Sequence, residues 1–182
     1  IVILNWNRPT DTLACLDSVY QSTTNNFEVI VVDNASSDDS VERIRGRYPD
    51  LTVLENQENL GYAGGNNVGI DYALARGVQY IVLLNDDIIV APDALATLLS
   101  AAEAHPAAGF LGPLVLSTEQ PARILSAGRV LEPKGRLIHR GSGENDESQY
   151  HEITDVDSLS GCALLVKREA VENVGLLDPR FF

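Results

Sequence analysis

Short runs of Val, Ile and Leu alternate with amphipathic helical patterns along the first half of the chain. The runs are IVIL (1–4), FEVIVVD (27–33), LTVLE (51–55) and YIVLLN (80–85). Continuous apolar runs of this length are typical of strands that are buried on both faces. A strand followed by a helix, four times in succession, favours right-handed crossovers and a parallel sheet. The sequence therefore predicts an α/β fold with a mostly parallel central sheet and helices on both faces.

Polar residues follow each predicted strand at its carboxyl end. In an open parallel sheet these ends lie at one edge, and ligands bind in the crevice beyond them. The candidate binding residues are Asn5, Trp6 and Asn7 after the first strand, Asp33, Asn34 and Ser36 after the second, Asn56, Asn59 and Gly61 after the third, and Asn85, Asp86 and Asp87 after the fourth. For Ser36 and its neighbours Ser37 and Asp38, turn formation and helix capping are the better explanation.

Trp6 is the only tryptophan of the chain, and it lies in the loop after the first strand. A tryptophan at this place either fills the core or presents a flat platform to a ring. Because Asp33 is predicted to lie nearby, we favour a nucleotide base that stacks on Trp6 and forms a hydrogen bond with Asp33.

The charge of the chain restricts the class of ligand. A formal net charge of -13 and a pI near 4.5 disfavour nucleic acid, whose binding requires a basic surface. An anionic small molecule can still bind if a divalent cation accompanies it.

Two glycine-rich nucleotide-binding motifs are absent. The loop NWNRPTD contains no glycine, so it lacks the dinucleotide-binding fingerprint. Gly64 and Gly69 have phosphate-loop spacing, but Ile70 and Asp71 follow them in place of Lys and Ser or Thr.

The two adjacent carboxylates after the fourth strand indicate a cation site. In extended backbone, Asn85 and Asp87 share one side and Asp86 faces away. Mg²⁺ and Mn²⁺ in phosphate sites take few protein carboxylates and complete their shell with water and phosphate oxygens. We therefore predict that Asp87 is the metal ligand. The alternative, in which both carboxylates cap the next helix, is weaker because Pro92 and Asp93 already supply that helix start.

The cysteines and the chain ends bear on the cellular context. Cys15 and Cys162 are far apart in sequence and have apolar neighbours, so we expect buried free thiols in a reducing compartment. No apolar run reaches the roughly 18 residues of a membrane span, and no signal-peptide pattern occurs. We therefore expect a soluble domain in the cytoplasm or peripheral at the cytoplasmic membrane. The start at Ile1 within a strand and the end at Phe181 and Phe182 indicate a fragment of a longer protein.

Residues 106–182 are less regular than the first half. The stretch ARILSAGRVLEPKGRLIHRG predicts a hairpin with its turn at Pro133, Lys134 and Gly135. Residues 141–157 carry six acids and no Lys or Arg. This composition favours a mobile, solvated loop over a cation site.

The remaining features of the second half are two histidines, a strand and a short helix. His139 and His151 are predicted to be surface side chains, because nothing near them in sequence supplies an orienting partner. SLSGCALLVKRE predicts a strand, in which Gly161 allows the backbone to approach a ligand or a metal closely. A helix is predicted over 169–174, ended by Gly175.

Five segments in order carry a resemblance to a known family. They are IVILNWNRPTDTLACLDSV, VIVVDNASSDDS, NLGYAGGNNVGI, YIVLLNDDIIVAPDAL and SLSGCALLVKREAVENVGLLDPRFF. Together they resemble the family 2 glycosyltransferases, inverting enzymes of the GT-A fold, and within them the rhamnosyltransferase-like group. The resemblance covers residues 1–182 and implies a single catalytic domain, with a nucleotide-binding half at about 1–105 and an acceptor-side half at about 106–182.

The resemblance implies a nucleotide-diphosphate-sugar donor and a glycan or lipid-linked acceptor, as in cell wall or polysaccharide biosynthesis. The run Asn85, Asp86, Asp87 corresponds to the family's DxD motif, with Asn85 in place of the first Asp and Asp86 in the variable position. Asp87 is then the ligand of a Mn²⁺ or Mg²⁺ ion that bridges the diphosphate. The expected donor-site residues are Leu4, Asn5, Trp6, Asp33, Asn34, Gly61, Asn66, Asn85 and Asp86, and Gly161 belongs to the acceptor side.

The catalytic base of this family is an Asp or Glu in a short acidic motif that follows the aromatic pair within a few residues. The resemblance therefore places the base beyond Phe182, and the role does not pass to Asp178. Two alternatives stay open. A nucleotidyltransferase shares the sheet and the metal but carries a Gly-rich basic loop after the first strand, which NWNRP does not provide. A binding module holds the sugar nucleotide without turnover.

Overall fold

A six-stranded sheet lies at the centre of the computed structural model, which describes residues 1–181. The strands are β1 (Val2–Asn5), β2 (Ile30–Asp33), β3 (Thr52–Glu55), β4 (Tyr80–Asn85), β5 (Phe110–Leu111), β6 (Val115–Leu116), β7 (Ile124–Ser126), β8 (Arg129–Leu131), β9 (Leu137–His139) and β10 (Ala163–Lys167). The central sheet has the order β3-β2-β1-β4-β10-β5. β1 to β4 are parallel, whereas β10 runs antiparallel to both β4 and β5. The predicted mostly parallel sheet is confirmed.

Helices cover both faces of this sheet. They are α1 (Pro9–Tyr20), α2 (Ser40–Arg47), α3 (Gly61–Ala75), α4 (Ala94–Ala104) and α5 (Arg168–Val174). Because successive side chains of a strand point to opposite faces, each strand contributes to two apolar layers. Ile3 and Leu84 pack with residues of α1, α2 and α4 on one face. Val2 and Leu83 pack with residues of α3 and α5 on the other face.

α3 packs unusually close to the sheet because two of its glycines face β1 and β2. A Cβ atom on Gly69 would lie 2.3 Å from Val2 Cγ1, and one on Gly65 would lie 2.5 Å from Leu4 Cδ1. Real Cβ atoms do not make contacts of this length, so only glycine fits at these positions. The close packing brings the start of α3 to the carboxyl edge of β1 and β2.

The second half contains the predicted hairpin and the predicted short helix. β8 and β9 pair antiparallel around the turn at 132–136, where Gly135 has a φ of 79°. α5 begins at Arg168, one residue before the predicted start, and ends before Gly175, which has a φ of 86°. The acidic segment 141–157 forms an isolated bridge with Arg123 through Asn145. Its mobility stays a prediction.

Two smaller predictions concern the thiols and the membrane. Both cysteines are free, and Cys15 is buried, but Cys162 is only half-buried. Among residues 1–181, no helix combines the length and the apolar character that a membrane crossing requires.

Candidate functional site

A cleft of about 380 Å³ opens at the carboxyl edge of the parallel strands. It is lined by Leu4, Trp6, Arg8, Asn34, Asn59, Gly61, Tyr62, Asn85 and Asp86. Six of these residues belong to the donor site expected from the sequence, namely Leu4, Trp6, Asn34, Gly61, Asn85 and Asp86. The ends of β1, β2 and β4 and the start of α3 therefore meet in one concave site, which is where open parallel sheets bind ligands.

Asn5 and Asp33, also expected in the donor site, do not line the cleft; they are buried, with 0% and 3% exposed. The Asp33 carboxylate accepts hydrogen bonds from Asn5 Nδ2 at 2.6 Å, from Ser36 Oγ at 2.6 Å and from the Ser36 backbone N–H at 2.9 Å. Thr12 Oγ1 donates to Asn5 Oδ1 at 2.6 Å. These bonds satisfy the buried polar groups and tie the loops after β1 and β2 together. The contact between Asp33 and a base stays a prediction.

Asn34 fixes the turn that precedes α3. Its Oδ1 accepts hydrogen bonds from Asn56 Nδ2 at 3.1 Å and from the Leu60 N–H at 3.0 Å. Its Nδ2 donates to Asn59 Oδ1 at 2.7 Å and to the Gly61 carbonyl at 3.2 Å. Both ends of the Asn34 amide are therefore engaged by the chain itself, which positions the first turn of α3 at the cleft.

The start of α3 is suited to an anion. Gly61 has a φ of 66°, a conformation that glycine adopts without strain. Gly61 and Tyr62 line the cleft at the first turn of this 15-residue helix. The N–H groups of a first helical turn carry partial positive charge, so this end of the cleft favours a phosphate.

Tyr62 explains the need for glycine at position 161. The Tyr62 hydroxyl donates to the Gly161 carbonyl at 2.5 Å, and a Cβ atom on Gly161 would lie 2.8 Å from that hydroxyl. The close approach predicted at Gly161 is thus made by Tyr62, and an approach by sugar or metal stays a prediction. Burial raises the pKa of Tyr62 to about 12, so the phenol remains a hydrogen-bond donor at neutral pH.

Asn66 lies on α3, one turn after Tyr62, and is 1% exposed. Its Nδ2 donates to the Tyr62 carbonyl at 2.9 Å, while its Oδ1 has no hydrogen-bond partner among residues 1–181. Asn66 therefore supports the first turn of α3 from below. Its expected proximity to the nucleotide stays a prediction.

Trp6 is 51% exposed and forms one wall of the cleft. The alternative in which Trp6 fills the core is therefore wrong. An exposed indole beside polar strand ends has a free aromatic face, which is the geometry that a stacked base requires.

Asp86 and Asp87 do not alternate as extended backbone predicts. β4 ends at Asn85 and the chain turns at Asp86. Both carboxylates face the guanidinium of Arg8: Nη1 is 3.0 Å from Asp87 Oδ2 and 3.9 Å from Asp86 Oδ1. The expectation that the two carboxylates point in opposite directions is wrong, because it assumed that the strand continues. The Asp86 side chain is 12% exposed and that of Asp87 is 44% exposed.

The surroundings of Asp86 change its pKa. Burial raises the pKa of Asp86 to about 6, Arg8 acts in the opposite direction, and the neighbouring charge of Asp87 raises it further. The Trp6 backbone N–H also lowers the pKa of Asp86, because it stabilises the charged form.

The donor set fits a hard divalent cation that shares its shell with phosphates. Asp86 and Asp87 supply carboxylate oxygens, which Mg²⁺ and Mn²⁺ prefer. Among residues 1–181, no group of three or more His, Cys, Asp or Glu side chains could hold a metal ion alone. A metal in this cleft would therefore depend on oxygens from a bound diphosphate and from water, as is usual for Mg²⁺ in phosphate sites.

Sequence reasoning missed two residues of the cleft, Arg8 and Tyr62. Arg8 is the only cation among the residues that directly follow the four parallel strands, and this position could have indicated a phosphate or carboxylate partner. Tyr62 has no comparable signal, since its partner Gly161 lies 99 residues away.

A second, larger cavity of about 950 Å³ lies between α4, the region of β5 and the segment 150–159. Asp146, Tyr150 and His151 are on its wall. His151 is exposed, and its Nε2 is 3.1 Å from Asp146 Oδ1. The sequence argument that nothing nearby orients this histidine is therefore wrong, because Asp146 lies only five residues before it.

Comparison with known proteins places the chain in a family. The model of the family described as glycosyl transferase family 2 matches residues 1–175. The chain belongs to glycosyl transferase family 2. Among family 2 relatives, the galactofuranosyltransferase GlfT1 of Mycolicibacterium smegmatis is 33% identical over 171 residues, which are 92% of this chain and 55% of that enzyme.

A second family 2 relative is the N-acetylglucosaminyl-diphospho-decaprenol L-rhamnosyltransferase of Mycobacterium tuberculosis. It is 30% identical over 185 residues, which cover 92% of this chain and 60% of that enzyme. The chain thus spans between half and two thirds of the length of these two relatives.

Solved structures agree on the fold of this family 2 chain. A mannosyltransferase from Pyrobaculum calidifontis, in complex with GDP-Man and Mn²⁺, superimposes with a TM-score of 0.64 at 22% identity, covering 98% of this chain and 46% of that one. Staphylococcus aureus TarS 1–349, in complex with UDP-GlcNAc, gives 0.56 at 19% identity over 65% of this chain and 35% of that one. The predicted GT-A fold is confirmed.

Proposed function

We propose that this chain binds the donor in a glycosyltransferase that moves a sugar from a nucleotide-diphosphate sugar to a glycan or lipid-linked acceptor. The observation that carries the proposal is the cleft at the carboxyl edge of the sheet, which is lined by an exposed tryptophan and by Asp86, and whose Arg8 pairs with the neighbouring Asp87. Trp6 offers an aromatic face to a base. Asp86 and Asp87 offer oxygen ligands to Mn²⁺ or Mg²⁺, with Asp87 as the principal ligand because it is the more exposed.

The names of the relatives support the classes of donor and acceptor. Relatives transfer rhamnose or galactofuranose, and structural neighbours hold GDP-Man or UDP-GlcNAc. The diphospho-decaprenol in the name of one relative supports a lipid-linked acceptor. We further propose one catalytic domain, with the donor bound by about 1–105 and the acceptor by about 106–182, in the cytoplasm or peripheral at the cytoplasmic membrane.

The proposed reaction is a single displacement at the anomeric carbon. The acceptor hydroxyl oxygen attacks from the face opposite the diphosphate, the bond from the anomeric carbon to the diphosphate oxygen breaks, and the configuration inverts. When bound, the divalent cation supplies positive charge that stabilises the departing diphosphate. The first turn of α3, which also lines the cleft, adds partial positive charge.

The proton of the acceptor hydroxyl requires a carboxylate base, and we propose that this base follows Phe182 in the sequence; Phe182 itself lies outside the described residues. Asp178 is unsuited to the role. Arg180 Nε donates to Asp178 Oδ2 at 2.9 Å, and hydrogen bonds from Arg180 lower the pKa of Asp178. A carboxylate that is held in its charged form by an arginine is a weaker base.

The test of this proposal is calorimetric titration with UDP or GDP in the presence of Mn²⁺. Asp87→Asn is expected to weaken nucleotide binding at least about tenfold, because a lost charged ligand is worth about 1.5 kcal/mol or more. Asp50→Asn removes the same charge from an exposed position in the loop before β3 and is the matched control. Equal affinity in Asp87→Asn and the wild type would contradict the metal assignment.

Turnover separates the proposed enzyme from a binding module that holds the donor without using it. Release of free nucleoside diphosphate from a nucleotide sugar, measured with an acceptor present, indicates transfer. A thermal-shift screen of nucleotide sugars with Mn²⁺ identifies the donor first, because a ligand that binds only the folded state raises the midpoint of unfolding.

A further inference from the structure

Arg8 lies among three carboxylates at the mouth of the cleft. Its Nε is 2.9 Å from Asp11 Oδ2, and its Nη1 is 3.0 Å from Asp87 Oδ2 and 3.9 Å from Asp86 Oδ1. In the described part of the chain, no other Lys or Arg forms an ion pair with Asp86 or Asp87. The Arg8 guanidinium is thus the positive charge that the fold itself supplies to the carboxylate pair.

The backbone that carries Arg8 is fixed on both sides. Asn7 has a φ of 55°, its N–H donates to Ser36 Oγ at 2.9 Å, and its Oδ1 accepts from the Ser37 N–H at 2.8 Å. The Arg8 carbonyl accepts from the Thr12 N–H at 3.0 Å. The Arg8 side chain is 49% exposed. A displacement of the guanidinium therefore requires only side-chain rotation.

A divalent cation at Asp87 competes with Arg8 for the same carboxylate, whose Oδ2 lies 3.0 Å from Arg8 Nη1. Mn²⁺ and Mg²⁺ bind such an oxygen directly, and a second cation within about 4 Å of them is repelled. After Nη1 leaves Asp87, the contact between Nε and Asp11 still keeps the guanidinium near the cleft. A planar guanidinium binds phosphate oxygens with two parallel hydrogen bonds.

We infer that Arg8 is the resident counter-ion of Asp86 and Asp87, that a divalent cation displaces it, and that the displaced guanidinium binds the diphosphate of the donor. Displacement of Arg8 by a cation requires only the carboxylates of Asp86 and Asp87. Binding of the diphosphate by Arg8 rests on the proposed function. Arg8 thus neutralises the carboxylates before the metal enters and the phosphates afterwards.

The displacement is tested by titrating the chain with MnCl₂ alone. Arg8→Gln is expected to raise the affinity for Mn²⁺ about three- to tenfold, since it removes a competing charge. Arg8→Lys retains the charge and is expected to stay within about twofold of the wild type. Arg45→Gln is the matched control, because Arg45 pairs with Glu55 at 2.8 Å on an equally exposed surface and lies outside the cleft. Unchanged or weaker Mn²⁺ binding in Arg8→Gln would overturn the displacement.

Diphosphate binding is tested with UDP at saturating MnCl₂. Arg8→Gln is expected to weaken UDP binding about tenfold, which corresponds to one charge-assisted hydrogen-bond pair. Binding of uridine, which lacks phosphates, is expected to be the same in both proteins. Wild-type affinity for UDP in Arg8→Gln would overturn this part of the inference.

The two experiments fail in distinguishable ways. If neither the wild type nor Arg45→Gln binds UDP or GDP, the proposed function fails and diphosphate binding by Arg8 falls with it. The MnCl₂ titration still shows in that case whether Mn²⁺ displaces Arg8, because it contains no nucleotide.

Discussion

Asp86 is the residue of the cleft whose charge the fold tolerates least. Burial raises its pKa to about 6, from 3.8 in the unfolded chain, despite the opposing effect of Arg8. The folded state therefore binds the Asp86 proton more tightly than the unfolded state does. The contribution of this group to stability is favourable below about pH 4 and is lost as the pH rises through about 6.

Asp86→Asn is expected to stabilise the metal-free chain at neutral pH. With a chelator present, urea unfolding at pH 7.5 should show an increase of about 1 to 3 kcal/mol in the free energy of unfolding, and little change near pH 4. Asparagine keeps the shape of the side chain and one oxygen acceptor, so we expect the turn to be retained. Asp50→Asn should show no such pH dependence. An equal increase in the free energy of unfolding at both pH values would show that burial of the Asp86 charge is not the cause.

Individual residues of the site were predictable where local rules decide their position. Leu4 and Asn85 are among the last two residues of parallel strands and Asn34 directly follows one, and such ends meet at one edge of a sheet. The directions of Asp86 and Asp87 were not predictable, because the period of two applies only while the strand continues. Their common direction depends on Arg8, which is 79 residues away from Asp87 in sequence.

At the scale of elements, the packing of α3 on β1 positions one wall of the cleft. Gly69 and Gly65 remove the side chains that would separate helix and strand. The same helix then presents Gly61 and Tyr62 to the cleft. A change in the helix-to-sheet distance is therefore expected to affect both stability and the site.

Gly69→Ala is expected to destabilise the chain by about 1 to 3 kcal/mol, the usual effect of overpacking a core. The new Cβ atom would lie 2.3 Å from Val2 Cγ1, so α3 must shift outward. Gly46→Ala in α2 is the control: a Cβ atom there meets nothing within 4 Å, and alanine should stabilise the helix by about 0.5 to 1 kcal/mol. Chemical denaturation of both variants is the measurement. Stabilisation by Gly69→Ala would contradict the close packing.

The elements that the sequence predicted are those with a strong local signal. β1 to β4 have continuous apolar runs, and β8 and β9 flank a turn that contains proline and glycine. β5 and β6 have two residues each, which is too short to show the alternation of apolar and polar residues that identifies a strand. The antiparallel direction of β10 depends on pairing with β4 and has no signature in the local sequence.

At the scale of the whole molecule, the net charge of -13 opposes the binding of an anionic nucleotide. In a chelator, UDP affinity should therefore rise about two- to fivefold between about 20 and about 200 mM NaCl, because salt screens the repulsion. With saturating Mn²⁺ this gain should vanish, since the bound cation dominates the local field. Trp6 fluorescence provides the readout. A loss of affinity with salt in the chelator would show that local cations outweigh the net charge.

The position of β10 in the sheet has a consequence for synthesis of the protein. β4 is complete at Asn85, but its partner on one side starts only at Ala163, which pairs with Leu84. A ribosome that adds 5 to 20 residues per second needs about 4 to 16 seconds to make the intervening residues. During that interval the growing chain carries an apolar strand with an open edge, to which a neighbouring nascent chain can pair. The time for which this edge stays open is therefore set by the speed of translation.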